Sequence, residues 1–251
     1  MRVVIYLRIS GSHVYNPYIT HGASVLWRTA ALVAAVAFLG AWMRTRVYID
    51  GYNLYYACLK RSPYKWLNIH DLAVSQLPKN QIDKVRYFTA RVSARPHDPT
   101  QPQRQETYFR ALATVPSIEV HFGHFLTHEV GMPEATAWQA GQYRSVRVIK
   151  TEEKGSDVNL ATHLLMDAFD DLFDVAVVVS NDSDLAEPMR LVQQRFGKTI
   201  GILGHRSTRV SGKLRPLANF IRTFHSGALA ASQFPQQMHD ANGAFQKPSQ
   251  W

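Results

Sequence analysis

Short apolar runs alternate with amphipathic stretches along residues 43–251, and this pattern predicts the secondary structure. The apolar runs predict strands at 47–49, 85–92, 118–122, 146–149, 174–180 and 199–203. The unbroken valine-rich run within 174–180 is typical of a central parallel strand covered on both faces. Helical spacing predicts helices over 69–77, 103–113, 156–169 and 185–195, with Asn68 and Ser156 as N-caps. The alternation predicts an α/β fold, a mostly parallel sheet with helices on both faces.

Two segments fall outside this pattern. Residues 226–251 are polar and turn-rich, so we expect a C-terminal tail after a domain at 43–225, and this tail either packs as a loop or is partly disordered. Residues 1–42 hold three arginines and no acidic residue, and the uncharged stretch 29–43 is shorter than the roughly 20 residues of a membrane-spanning helix. Three interpretations of residues 1–42 stay open: an extension upstream of a native start at Met43, a short membrane anchor, or a signal peptide.

The charge balance favours a polyanionic partner. The 251 residues include 28 Lys and Arg against 19 Asp and Glu, and the formal net charge is +9. Nucleic acid and an acidic membrane surface both fit this balance. The single cysteine, Cys58, excludes an intramolecular disulfide and cysteine-rich zinc frameworks. It predicts a reducing, cytoplasmic location, with membrane tethering through residues 29–43 as the alternative.

Acidic residues concentrate where the predicted strands end. Ten of the 19 lie within residues 152–187. Asp50 ends the first predicted strand, and Asp182 and Asp184 follow the valine-rich strand. Asp157 heads the apolar stripe of the helix at 156–169. Because ligand sites of open parallel sheets form outside the carboxyl ends of the strands, we expect these four carboxylates to meet at one end of the sheet.

The chemistry of such a cluster favours a divalent cation. Carboxylates held close together raise one another's pKa, and Mg²⁺ or Mn²⁺, which prefers oxygen ligands, removes that penalty. Each residue has a structural alternative as well: Asp182 and Asp184 as helix caps, Asp157 as a charge at a helix N-terminus, and Asp50 as a turn residue. Their joint position favours the metal site. A cation held beside a basic surface can hydrolyse a phosphodiester.

Several sequence pieces carry a resemblance to a known family: YIDGYNL at 48–54, EKGSDVNLA at 153–161, VVSNDSDL at 178–185 and GKTIGIL at 197–203. In this order they resemble the NYN domain family, the LabA-like branch of the PIN-like nuclease superfamily, over residues 44–225. The resemblance implies a Rossmann-like three-layer sandwich and a ribonuclease site that uses Mg²⁺ or Mn²⁺. It assigns the metal to Asp50, Asp157, Asp182 and Asp184, a phosphate or metal-bound water to Asn53, and support of the loop to Ser180 or Asn181.

One departure from the family pattern bears on catalysis. Many relatives carry an acidic residue at the position of His163, so either a fifth carboxylate is dispensable or this chain binds its metal more weakly. The leading hypothesis is a metal-dependent endoribonuclease for single-stranded or loop RNA, without an organic cofactor and with DNA as the alternative substrate. The second is an RNA-binding or regulatory protein without turnover. A homodimer is compatible with both.

Basic residues expected to contact nucleic acid form three strips, at 60–65, 91–95 and 205–215. The third strip follows the same sheet end as the carboxylates, and a solvated loop is its alternative. The expected phosphate contacts are Lys154, Arg206, Arg209, Lys213, Arg215 and Arg91. Tyr52, Tyr55 and Tyr56 are expected to stack on unpaired bases, with core packing as the alternative for at least one of them.

Overall fold

Seven strands of the computed structural model, which describes residues 43–251, form the central sheet. They are β1 Met43–Asp50, β2 Asn80–Ala90, β3 Ile118–Pro133, β4 Ser145–Lys154, β5 Val175–Val179, β6 Thr199–His205 and β7 Phe220–Phe224. The strand order is β4-β3-β2-β1-β5-β6-β7. β4 runs antiparallel to β3, and the other neighbours pair in parallel. The three interpretations of residues 1–42 lie outside the described residues.

Helices lie between most successive strands of the sheet. They are α1 Gly51–Leu54 continued by a π-helical turn at Tyr55–Leu59, α2 Ile69–Gln76, α3 Gln101–Ala113, α4 Ala135–Gln139, α5 Ser156–Phe169, α6 Ala186–Phe196 and α7 Ser226–Ala231. The Asn68 carboxamide oxygen accepts from the backbone N–H groups of His70 and Asp71, so the predicted cap of α2 is confirmed. None of the helices in this described part of the chain has the length and apolar character that crossing a membrane requires.

Two hydrophobic cores lie on opposite faces of the sheet. One face of β1, β2 and β5 packs on α2 and α3, and the opposite face packs on α5 and α6. All five residues of β5 are buried, as its unbroken run of apolar residues predicts. The predicted α/β sheet with helices on both faces is therefore confirmed as a three-layer sandwich.

The structure differs from the predictions at two places around the site. β3 extends to Pro133, far beyond the predicted end at residue 122, and pairs with β4 in a long hairpin whose tip carries α4. Ser156 does not cap α5 but is its first helical residue, because Gly155 with φ +93° occupies the cap position. The Ser156 hydroxyl instead donates to Glu153.

The segment after residue 225 packs on the core, as one of the two expectations states, but it has regular secondary structure where a loop was expected. It forms α7 and a hairpin of β8 Gln237–Asp240 and β9 Gly243–Gln246. The buried Trp66 lies against Phe234, Phe245 and Trp251, with ring centroids 5.8, 6.4 and 6.3 Å away. These aromatic residues, widely spaced in a polar sequence, supply the burial that holds the segment in place.

Candidate functional site

The first part of the site is the turn at the carboxyl end of β1. Asp50 is 6% exposed, and its two oxygens accept hydrogen bonds from the Asn53 backbone N–H and the Ser180 hydroxyl, each at 2.9 Å. The turn depends on glycine at position 51, because a Cβ there would lie 2.7 Å from the Tyr87 ring and 2.8 Å from the Phe88 carbonyl oxygen. Asp50 is thus fixed at the strand end, where the sequence predicts it.

The loop after β5 supplies the second part of the site. Ser180 Oγ accepts from the Asp182 N–H at 3.1 Å while it donates to Asp50. Asp182 Oδ1 accepts from the Asp184 N–H at 2.9 Å and so caps the 3-10 turn Ser183–Leu185. Asp182 therefore acts as a helix cap, its structural alternative, through one of its two carboxylate oxygens. Asp184 is exposed on that turn and does not line the cleft formed by the other carboxylates.

Asn53 and Asn181 join the segments of the site to each other. Asn53 Oδ1 accepts from the Asn181 N–H at 3.1 Å, which ties the loop after β5 to α1. The Asn181 carboxamide donates to the Arg209 carbonyl oxygen at 3.0 Å and accepts from the Ser211 N–H at 2.6 Å. The basic loop after β6 is therefore anchored beside the carboxylates, in agreement with the strip predicted at 205–215.

The third part is the start of α5, and it includes a carboxylate that the sequence analysis did not single out. Asp157 lies in the first turn of α5, and Glu153 precedes the helix and accepts from the Ser156 N–H at 3.1 Å and its hydroxyl at 2.6 Å. A side chain at position 123 would overlap the Glu153 carboxylate, so Gly123 of β3 makes room for it. Glu153 precedes the helix, so no helix-start signature of the sequence marks it.

Electrostatics show that these acids face one another. Burial, and after it the nearby charges of Asp50, Asp182, Glu153 and Asp184, together raise the pKa of Asp157 to about 6. Burial also raises the pKa of Asp50, against the opposing hydrogen bonds from Asn53 and Ser180, and the charge of Asp182 adds to that rise. The predicted convergence of the three chain segments is thus present in the structure.

The donor set fits a hard divalent cation by its chemistry. Four carboxylates of the site line a single cleft: Asp50, Glu153, Asp157 and Asp182. Among the described residues, no three His, Cys, Asp or Glu side chains are arranged, as they lie, to hold one metal ion. Oxygen-only ligands of high negative charge are nevertheless those that Mg²⁺ and Mn²⁺ prefer. A cation would relieve the part of the rise in the Asp157 pKa that comes, after burial, from the neighbouring carboxylates.

The cleft extends well beyond the carboxylates, with a volume of about 930 Å³. Its basic lining residues are Lys60, Lys65, Arg95 and Arg104. The first three belong to the basic strips that the sequence analysis expects to contact nucleic acid. Arg104 lies on α3, outside those strips, and no pattern in the sequence marks it. Tyr52, Tyr55 and Tyr56 all line the cleft. The 930 Å³ are sufficient for a nucleotide-sized ligand.

The basic residues predicted to contact phosphate do not line this cleft: Lys154, Arg206, Arg209, Lys213, Arg215 and Arg91. Arg91 pairs with Glu106 at 2.8 Å and lies over the Phe122 ring. Lys154 lies 3.4 Å from Glu152. The remaining four lie on or next to the loop that Asn181 anchors, so they border the site without entering the cleft.

The position at which many relatives carry an acid belongs to a separate polar network under α5. The His163 ring lies 4.1 Å from that of His121. One turn further along α5, the buried Asp167 accepts hydrogen bonds from Tyr48 at 2.7 Å and from Arg86 at 2.8 and 3.0 Å. Burial lowers the pKa of His163, and the Arg86 charge lowers it further. His163 therefore does not take the place of a fifth carboxylate in the cleft.

This chain is similar to a known protein family and to known proteins. A family model for the NYN domain matches residues 44–223. The 6-hydroxy-3-succinoylpyridine 3-monooxygenase HspA of Pseudomonas putida (strain DSM 28022 / S16) is 31% identical over 237 residues, which cover 83% of this chain and 75% of that protein. A solved structure of a protein of unknown function from Vibrio parahaemolyticus RIMD 2210633 is 17% identical, with a TM-score of 0.48, and the match covers 81% of this chain and 97% of that one.

Proposed function

The chain belongs to the NYN domain family of the PIN-like nuclease superfamily, and from this premise we propose that it is a divalent-metal-dependent ribonuclease. NYN domains generally bind nucleic acid, and PIN-like nucleases generally use a divalent metal. The single observation that carries the proposal is that Asp50, Asp157 and Asp182, from three separate chain segments, line one cleft together with basic residues.

In this proposal Asp50, Asp157 and Asp182 hold Mg²⁺ or Mn²⁺, with Glu153 and Asp184 adding negative charge nearby. When bound, the cation polarises the phosphoryl oxygen and lowers the pKa of the attacking water. The Ser180 hydroxyl and the Asn53 N–H keep the buried Asp50 carboxylate oriented. The Asn53 side-chain oxygen is used by the Asn181 N–H, so its NH₂ group is the donor offered to a phosphate oxygen.

The test is cleavage of a labelled single-stranded RNA in the presence of Mn²⁺ or Mg²⁺. We expect cleavage by the wild type, its loss in EDTA, and at least a 100-fold lower rate for Asp182→Asn. Glu187→Gln is the matched control, because Glu187 is an exposed acid on α6 that pairs with Arg190 and does not line the cleft. Equal cutting by the wild type and Asp182→Asn, or cutting undiminished by EDTA, would refute the proposal. A DNA of the same sequence tests the alternative substrate.

Salt-dependent RNA binding without cleavage in any metal would select the regulatory alternative. Its structural motivation is the absence of a carboxylate at position 163, where the side chain packs on His121. In that case the carboxylates of the cleft would bind a cation or serve only as helix caps. The basic residues of the cleft would account for the affinity for RNA.

A second candidate function comes from the Pseudomonas putida relative, whose name describes the oxidation of a substituted pyridine. The 31% identity over 83% of this chain and the tyrosine-lined cleft favour it. Such a reaction consumes O₂ and a two-electron reductant. The test is to incubate the protein with 6-hydroxy-3-succinoylpyridine, NADH and flavin and to follow NADH oxidation and the product by mass spectrometry. Substrate-dependent NADH oxidation with a hydroxylated product would select it, and no turnover would exclude it.

A further inference from the structure

The outward face of α5 is apolar along the length of the helix. Val158, Met166 and Phe169 are 67, 50 and 69% exposed. Thr162 is also exposed, and Leu165 is partly buried. With about 3.6 residues per turn, these five positions fall on one side of the helix. We call these five residues the α5 stripe.

No ionised side chain interrupts the α5 stripe. The Asp, Glu, Lys and Arg residues of α5 are only two, Asp157, which lines the cleft, and Asp167, which is buried. Phe196 of α6 continues the apolar surface, because its ring lies edge to face with that of Phe169, at 6.4 Å. A surface helix ordinarily carries charged residues on its outer face, so an apolar outer face of this length is typical of an interaction site.

We propose that the α5 stripe binds a second copy of this chain, in a homodimer in which the two α5 helices pack antiparallel about a twofold axis. The sequence analysis leaves a homodimer open and names no surface for it. This inference does not depend on the proposed ribonuclease function. None of the stripe residues lines the cleft, so the contact uses no residue of the cleft.

The order of large and small side chains along α5 is self-complementary. In an antiparallel pair of identical helices, residues whose numbers have the same sum lie at the same level along the axis. One such sum puts each large side chain of the stripe level with a small one of the other copy, in three pairs: Phe169 with Val158, Leu165 with Thr162, and Met166 with Ala161. Close helix packing requires large residues to face small ones in this way.

Electrostatics also favour this face for a contact between two copies. The formal net charge of +9 makes two copies repel each other, and the repulsion is smallest where the uncharged stripes meet. Lys154 precedes α5 and Asp170 follows it. An antiparallel copy brings these opposite charges to nearly the same level at both ends of the pair. The positive N-terminus of each helix then lies beside the negative C-terminus of the other.

The exposed area of the stripe fits a small specific interface. At residue areas of roughly 150–250 Å², the exposed fractions of Val158, Met166 and Phe169 amount to about 350 Å² in each copy. Two copies therefore bury about 700 Å² through these three residues alone. The other stripe residues and the adjoining Phe196 raise this area towards the roughly 1,200 Å² of the smaller stable interfaces. We therefore expect a dimer with a micromolar Kd.

Sedimentation velocity of the full chain, at about 1 to 200 μM, measures the monomer–dimer equilibrium. Val158→Glu and Phe169→Lys each place an unpaired charge against an apolar side chain of the other copy. Each single variant is expected to weaken the dimer at least ten-fold. A glutamate in the first turn of α5 and a lysine in its last turn both suit the helix dipole, so both variants are expected to keep the fold.

The double variant Val158→Glu/Phe169→Lys tests the antiparallel register. In this register the new carboxylate of one copy lies level with the new ammonium group of the other, at both ends of the pair. The double variant is therefore expected to dimerise at least five-fold more tightly than either single variant. A double variant that dimerises more weakly than both single variants overturns the proposed arrangement, because in a parallel pair like charges meet.

Ile149→Glu is the matched control, because Ile149 is 71% exposed on β4, outside the α5 stripe. This variant is expected to leave Kd within two-fold of the wild type. A wild type that stays monomeric at every concentration overturns the proposal. A dimer that Val158→Glu and Phe169→Lys leave unchanged overturns it as well. A dimer weakened only by Ile149→Glu overturns it in favour of a contact through the β3–β4 hairpin.

Discussion

Replacing Asp157 by asparagine should stabilise the metal-free protein. The structure places this carboxylate at the head of α5, where burial and then the charges of Asp50, Asp182, Glu153 and Asp184 raise its pKa from 3.8 to about 6. Near neutral pH the ionised group is therefore held in an environment that disfavours its charge. The Asp157→Asn change removes the charge, keeps the size of the side chain, and ends the repulsion.

The direction of this change in the free energy of unfolding follows from proton linkage. A carboxyl group with a higher pKa in the folded protein than in the unfolded chain contributes stability that is complete below pH 3.8 and is lost as the pH rises through about 6. At about 1.4 kcal/mol per pKa unit the full rise corresponds to roughly 3 kcal/mol. Because Asp157 is only partly buried and solvent screens its charge, we expect Asp157→Asn to gain about 1 kcal/mol near pH 7.5. This gain should shrink towards pH 4.

Urea unfolding in EDTA, followed by tryptophan fluorescence at pH 7.5 and pH 4, measures the difference in free energy of unfolding between the wild type and Asp157→Asn. Excess Mn²⁺ should reverse its sign, because a ligand that binds the folded state stabilises the wild type more than a variant that lacks one of the ligands. Glu187→Gln, an exposed acid outside the cleft, should change the free energy of unfolding by less than about 0.5 kcal/mol. An Asp157→Asn protein less stable than the wild type in EDTA near pH 7.5 would refute the reasoning.

Two further predictions concern the framework of the site. Asp167→Asn should destabilise the protein by about 3 kcal/mol in urea unfolding near pH 7, because it removes the charge of a buried carboxylate that pairs with both Arg46 and Arg86, and the second partner that Arg86 keeps, Glu119, is partly exposed; a loss below 1 kcal/mol would contradict this account. Gly51→Ala should cost about 1–3 kcal/mol in thermal or urea unfolding, because its methyl group would collide with the Tyr87 ring and the backbone of β2. Gly204→Ala, with open space around the added carbon, is the matched control, and equal losses would argue against the collision.

The sequence predicted the centre of the sheet and the positions of the acids because both depend on local signals. β5 is buried on both faces, so its five apolar residues are unbroken in the sequence. Asp50 and Asp182 directly follow apolar strands, and the ends of parallel strands meet at one edge whatever the details of packing. The end of α6 at Gly197, which has φ +65°, can likewise be predicted from the sequence.

Other features had no local signal. β3 beyond residue 122 has no fully buried residue, so no apolar alternation marks it as a strand; its pairing with β4 makes it one. The segment after residue 225 is held by Phe234, Phe245 and Trp251 around Trp66, which is far away in the sequence. A contact between distant residues leaves no periodic trace in either segment.

The lining of the cleft is the clearest case of what tertiary structure decides. The sequence by itself determined the α/β fold and the ends of β1 and β5 with the aspartates beside them, because these follow from burial patterns and from the order of the chain. It did not determine which cations share the cleft. Arg104 of α3 lines the cleft, whereas Arg91 pairs with Glu106 and does not line it. The direction in which a surface side chain points depends on the residues that folding places around it. These neighbours are known only from the tertiary structure.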